Sequence, residues 1–178
     1  MQISAVPKEI NEWSGSVLIA GILEGTIESQ INLFKTIIKD TFLSQRFIDS
    51  KFEGKKNQKL SIELIEGKVK KVIFVGLGKA ETLRIDDLRK AASIGTRQVA
   101  GYERKLGIFF PWDAFDPSSA ACAVGEAVIL SSLKDLRFKS ESKVKPLPIS
   151  TTLFFAFFGE YFKCIKLGSR SDPLATAK

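Results

Sequence analysis

Few residues in this sequence have the types and spacing that could do chemistry. Gly76-Leu77-Gly78-Lys79 follows an apolar run, and glycines after a strand can let the backbone approach a phosphate. A dinucleotide fingerprint needs a third glycine at position 81, where Glu81 stands, and no Gly-Lys-Ser/Thr end of a Walker loop is present. The pattern therefore favours a tight turn after a buried strand over a ligand loop. Asp86 with Asp87, and Asp113 with Asp116, are the close carboxylate pairs in the body of the chain. Such pairs can hold a metal or serve acid–base chemistry, but both stand at expected helix starts, where capping and the helix dipole account for them. Cys122 falls among small residues on an expected helix and is read as packed. Cys164 lies in a segment without clear pattern.

The chain has no histidine. That excludes a Ser-His-Asp triad, a Cys-His pair and a His-ligated zinc within these residues. Any hydrolytic chemistry here would rest on carboxylates, lysines or a metal on oxygen ligands. No catalytic, cofactor-binding or metal-binding residue is assigned.

The elements that would position these groups alternate between strand and helix. Gln2–Val6 and Ser16–Leu23 read as strands, with Asn11, Ser14 and Gly15 in the turn between them. The second strand is almost wholly apolar, which suits burial on both faces. Ile27, Ile31, Phe34, Ile38 and Phe42 recur in steps of three and four, predicting a helix between Glu28 and Thr41. Gly54 and residues 55–57 form a polar break. Leu60, Ile62 and Leu64 alternate as a half-buried strand, and Val69–Val75 ends in a central buried one. Ile85, Leu88, Ala92, Gly95 and Val99 form the apolar face of the clearest helix, with Gly101 placed to stop it. Lys105–Phe110 is a strand ended by Pro111. Asp116 then caps a helix with Pro117 at its first position and Ala121, Val124, Ala127 or Val128, and Ser131 inward. The fold class is α/β, a mixed sheet flanked by helices.

From Lys139 the chain turns polar, basic and proline-containing, which reads as a linker. The expected division is a domain over 1–140, a linker over 141–150 and a phenylalanine-rich tail over 151–178. Clustered phenylalanines with little charge make that tail aggregation-prone and, on this reading, dispensable for folding.

Composition narrows the function classes. At 178 residues the chain fits one domain with an extension, and its apolar and charged fractions (44% and 26%) allow a real core. Two cysteines are too few for a disulfide framework and suggest a reducing compartment. The first residues lack a basic stretch followed by an apolar run, so no secretory signal is expected. The apolar cluster Leu153–Ile165 is interrupted by Glu160 and Lys163 and falls short of the about 20 residues a membrane helix needs. A net charge of +7 raises nucleic-acid binding. However, the cations of 51–71 are mixed with Glu53, Glu63 and Glu66, and those of 134–145 with Asp135 and Glu141. Neither stretch has interleaved aromatics for base stacking, so a solvated surface is expected.

Three segments, in order, carry a family resemblance: KKVIFVGLGK followed by ETLRIDDLRKAASIGTRQV, the helix AACAVGEAVILSSL, and DLRFKSE. Together they resemble the N-terminal domain of the leucyl (cytosol) aminopeptidase family, over roughly residues 1–148. The resemblance implies a macro-domain-like three-layer sandwich that precedes a catalytic domain with two divalent metals, zinc or manganese. That second domain removes N-terminal amino acids from peptides, typically in a cytoplasmic hexamer. Its motifs, of the type VGKGITFDSGG and NTDAEGR, do not occur in this chain. The expectation is a non-catalytic N-terminal domain, from a truncated or frameshifted product or a fragment, whose partners are a catalytic domain or other copies of itself. The alternatives are a stand-alone macro-like module binding a nucleotide at Gly76–Gly78, and a basic nucleic-acid-binding domain.

Overall fold

The structure is a computed structural model that describes residues 2–6, 15–38, 40–65, 67, 69–99, 105–132 and 150–154. The elements run β1 (Gln2–Val6), β2 (Val17–Leu23), α1 (Ile27–Ile38), α2 (Leu43–Asp49), β3 (Lys59–Glu63), β4 (Lys71–Gly78), α3 (Ile85–Gln98), β5 (Lys105–Phe109), α4 (Pro117–Ser132) and β6 (Ser150–Phe154), with a short 3-10 turn at Ala80–Thr82. The six strands form one sheet in the order β1-β6-β5-β2-β4-β3. All neighbours are parallel except β3, which is antiparallel to β4, so the sheet is mixed, as expected.

The two central strands explain their own composition. In β2, Val17 and Ile19 face one helical layer, while Leu18, Ala20 and Ile22 face the other. In β4, Ile73, Val75 and Leu77 alternate in the same way with Val72 and Phe74. A strand with helices on both faces needs apolar side chains at every position, which is why alternation is missing from these runs. Helices α3 and α4 cover one face and α1 and α2 the other, giving three layers. On the α1–α2 side, Phe34 and Phe47 both pack edge-on against Phe74, with centroids 5.3 and 4.8 Å apart.

The helix phases follow from side-chain size. Helix α3 buries Leu88, Ala91, Ala92, Gly95 and Thr96, close to the expected stripe, with Ile85 half-buried at its start. A Cβ added at Gly95 would lie 2.6 Å from Ile19 Cγ2, so this glycine sets how closely α3 approaches β2. Helix α4 buries residues around most of its circumference, from Ala120 to Val128, because its small side chains let it pack tightly on α3. Ser131, expected inward, is only half-buried; Ser132 takes the buried place, and both hydroxyls donate to the Val128 carbonyl, at 3.3 and 2.7 Å. Leu88 is fully enclosed, and Leu88→Ala should cost about 3 kcal/mol in a denaturant melt. Arg89, half-exposed beside Asp86 and Glu126, should give a much smaller shift as Arg89→Ala; the reverse ranking would show the helix phase to be wrong.

The structure corrects two expectations. Phe42 does not continue the apolar stripe of α1; it is 70% exposed. The helix ends at Ile38, and the Asp40 carboxylate accepts the Phe42 N–H at 2.8 Å, turning the chain into α2, where Leu43 is buried instead. The second correction concerns the expected boundary at 150/151. Ser150–Phe154 is a strand inside the sheet, paired with β1 on one side and β5 on the other, with Thr151 and Leu153 fully buried. The start of the expected tail is therefore part of the domain. The turn residues Asn11 and Ser14, Gly101, the linker over 141–149, the DLRFKSE segment and residues 155–178 lie outside the described residues.

Candidate functional site

The glycine turn at the end of β4 is the place where sequence alone leaves room for a ligand, and its backbone is already used. Gly76 N–H donates to the Gln58 carbonyl at 2.8 Å, and the Gly76 carbonyl accepts Asn57 N–H at 3.1 Å. Gly78 N–H donates to the Gly54 carbonyl at 2.8 Å, and the Gly78 carbonyl accepts Glu24 N–H at 2.9 Å. A phosphate cradle needs amides that point into open space. These two amides point into the 54–58 loop. A Cβ at Gly76 would stand 2.0 Å from the Lys55 carbonyl oxygen, and Gly78 has φ +81°. Close backbone approach explains the first glycine and a left-handed conformation the second.

The same loop ties the turn to α3. Gln58 Oε1 accepts the N–H groups of Glu53 and Lys55 at 2.9 and 3.0 Å, which shapes the loop. Lys56 then runs past Gly78, and its ammonium reaches Asp87 Oδ2 at 2.9 Å. Asp87 also accepts the Arg84 N–H at 3.0 Å, an N-terminal cap made from the third helical position. Partial burial pushes the Asp87 carboxyl up, but the Lys56 hydrogen bond, the Arg84 N–H and the charges of Lys56 and Lys90 outweigh it and hold it below the usual carboxylate range. Asp86 pairs with Arg89 at 2.7 Å.

The second carboxylate pair separates in the same way. Asp116 accepts the backbone N–H and the hydroxyl of Ser119 at 2.8 and 2.7 Å; these bonds hold its carboxyl below the ordinary value and cap α4. Asp113 is exposed in the preceding loop. Cys122 is a free, half-buried thiol on α4. Among the described residues no group of three or more His, Cys, Asp or Glu side chains is placed to hold a metal, and no helix is long and apolar enough to cross a membrane. Several lysines of the 51–71 stretch are paired: Lys55 with Glu53, Lys56 with Asp87 at 2.9 Å and Lys71 with Glu63 at 3.9 Å.

One feature escaped the sequence reading. A solvent-open groove of about 600 Å³ lies between α1 and α2, walled by Ile27, Ile31, Phe47, Ile48 and Phe52, with Glu28 on its rim. Its lining also includes the polar residues Asn32, Ser44, Lys51 and Glu53. Helix α2 is only seven residues long, too short for its periodicity to announce a groove wall.

Comparison with known proteins turns this scaffold into a family assignment. The family model for the N-terminal domain of the cytosol aminopeptidase family matches residues 21–142. The chain belongs to that family. It is 48% identical over 148 residues to a probable cytosol aminopeptidase of Prochlorococcus marinus strain MIT 9211, covering 83% of this chain and 30% of the relative. A probable cytosol aminopeptidase of Nostoc punctiforme is 34% identical over 163 residues, 90% of this chain and 33% of the relative. Among solved structures, a tomato leucine aminopeptidase mutant superposes with a TM-score of 0.69 at 21% identity, over 90% of this chain and 33% of that one, a likeness of fold. The chain thus spans about a third of the length of the cytosol aminopeptidases it matches, and it is their N-terminal domain that it matches.

Proposed function

We propose that this chain serves a leucyl-aminopeptidase-type metallopeptidase as its non-catalytic N-terminal domain, supporting the folding, assembly and substrate access of a catalytic domain whose sequence it does not contain. The observation that carries the reading is the family match over residues 21–142 in a chain that spans about a third of its relatives. The reaction assigned to the intact enzyme is release of N-terminal amino acids from peptides at a pair of divalent metals, zinc or manganese. Among the described residues no group of three or more His, Cys, Asp or Glu side chains is placed to hold such a pair, and Asp86, Asp87 and Asp116 are engaged with Arg89, Lys56 and Ser119. The partners are a catalytic domain and further copies in a hexamer, in the cytoplasm.

Two measurements test this. Purified free of host peptidases, the chain should not hydrolyse leucine-p-nitroanilide with added manganese or zinc. Residues 1–154 placed in the Prochlorococcus relative, in exchange for its own N-terminal domain, should give a folded, metal-dependent aminopeptidase. Metal-dependent turnover by the chain alone, or a chimera that folds and binds metal but has no activity, would overturn the reading.

A further inference from the structure

Strand β3 is the outermost strand on its side of the sheet among the described residues, and it pairs only with β4 there. Leu64 N–H donates to the Lys70 carbonyl and Gly76 N–H to the Gln58 carbonyl, each at 2.8 Å. In an antiparallel ladder with Lys59 opposite Val75, this phase directs the backbone groups of 58, 60, 62 and 64 toward β4. The N–H and C=O groups of Lys59, Ser61 and Glu63 therefore point away from the sheet. All three side chains are exposed, and Ile65, just past the strand, is 95% exposed. An edge of this kind is a template for another strand.

The sequence KLSIE is complementary to itself when reversed. Antiparallel pairing about a two-fold axis at Ser61 sets Lys59 opposite Glu63 of the second copy, and Glu63 opposite its Lys59. It also sets Leu60 beside the second copy's Ile62, on the face that already belongs to the α1–α2 core. The outward-pointing backbone groups are those of 59, 61 and 63, the set this register joins by hydrogen bonds. Charges, apolar side chains and backbone phase all agree on one register, and a shift by one residue would place Lys59 opposite Ile62 and lose that agreement. Glu63 lies 3.9 Å from Lys71, and its side chain is 67% exposed.

We infer that the β3 edge is a self-association surface, joining two copies of this chain through antiparallel β3–β3 pairing centred on Ser61 into one continuous sheet. The contact is isologous, so each strand supplies Lys59 to one ion pair and Glu63 to the other. It is a short edge, and the association is correspondingly weak. This inference stands whether or not the peptidase reading holds, because it uses only the β3 edge.

Sedimentation velocity on the 178-residue chain at low salt, from about 10 µM to about 1 mM, should show a monomer–dimer equilibrium. Lys59→Glu and Glu63→Lys should each weaken the dimer about tenfold, since like charges then face each other at both symmetric positions. The double exchange should bring affinity back to within about threefold of the starting protein. Ser61→Pro should give a monomer with an unchanged thermal melt, because the N–H it removes points away from β4. A chain that stays monomeric throughout, a dimer indifferent to Ser61→Pro, or a double exchange no better than its singles would overturn the inference. Glu63→Lys also meets Lys71, so if that variant unfolds, Lys59→Glu and the double exchange decide.

Discussion

A chain ending at Pro148 should lose most of its stability, whereas one ending at Ala156 should unfold as cooperatively as the full protein. The difference between them is β6. It bridges β1 and β5, pairing Gln2 through Val6 on one side and Lys105 through Phe109 on the other. Without it, β1 has no neighbour among the described strands, and β5 becomes an open edge whose Leu106 and Ile108 belong to the core. Leu153 and Ile3 would leave that core together, at about 1.5–3 kcal/mol each before any lost ladder bonds are counted. A loss of about 5 kcal/mol or more is a large fraction of what holds a domain of this size together. Urea melts of the two chains, followed by far-UV circular dichroism, would measure it. Equal midpoints would mean that β6 is not an integral strand, and the boundary expected at 150/151 would stand.

Gly76→Ala should be the most damaging single methyl addition in the β4 turn. The new Cβ would lie 2.0 Å from the Lys55 carbonyl oxygen and within 2.9 Å of Gly54 backbone atoms. These are main-chain atoms held by hydrogen bonds of their own, so no side chain can swing aside. Relief would require the 54–58 loop to lift away, breaking Gly76 N–H to Gln58 and Gly78 N–H to Gly54. Overpacking of this kind, with lost hydrogen bonds, should cost about 4 kcal/mol or more. Gly25→Ala is the control: its φ is +82°, but nothing lies within 4 Å, so only backbone strain of about 1 kcal/mol is expected. Were Gly76 kept for a ligand instead of for packing, the two variants would melt within about 1 kcal/mol of each other.

What could be read without coordinates follows from the reach of periodicity. Strands β2 and β4 announce themselves as unbroken apolar runs because both faces are covered, and α3 because one face is not. The family is legible through a resemblance carried by VGLGK, LRKAA and the alanine-rich helix, and the family match bears it out. Helix α2 has too few turns to show a stripe. Strand β6 was hidden by its threonines. Thr151 is fully buried yet polar by type, and the basic, proline-containing stretch before it suggested a linker. The β-branched Thr151 and Thr152 beside Leu153 were the available signal, since such residues favour a pleated, buried surface. The α1–α2 groove and the β3 edge depend on which elements end up adjacent, and no local pattern encodes that.

The position of β6 also dictates a timetable. Strand β1 leaves the ribosome before the other described strands, yet its partner among them begins at Ser150, so β1 must wait for about 140 further residues to be synthesised. Meanwhile β2 and β4, separated by fewer residues, can pair with α1 and α3 packed across them. Contacts between distant parts of the chain carry the larger loop-closure cost and form late. The nascent chain therefore holds a half-built sheet with β5 as a temporary open rim, and insertion of β6 between β5 and β1 is the step that ends its exposure to other chains.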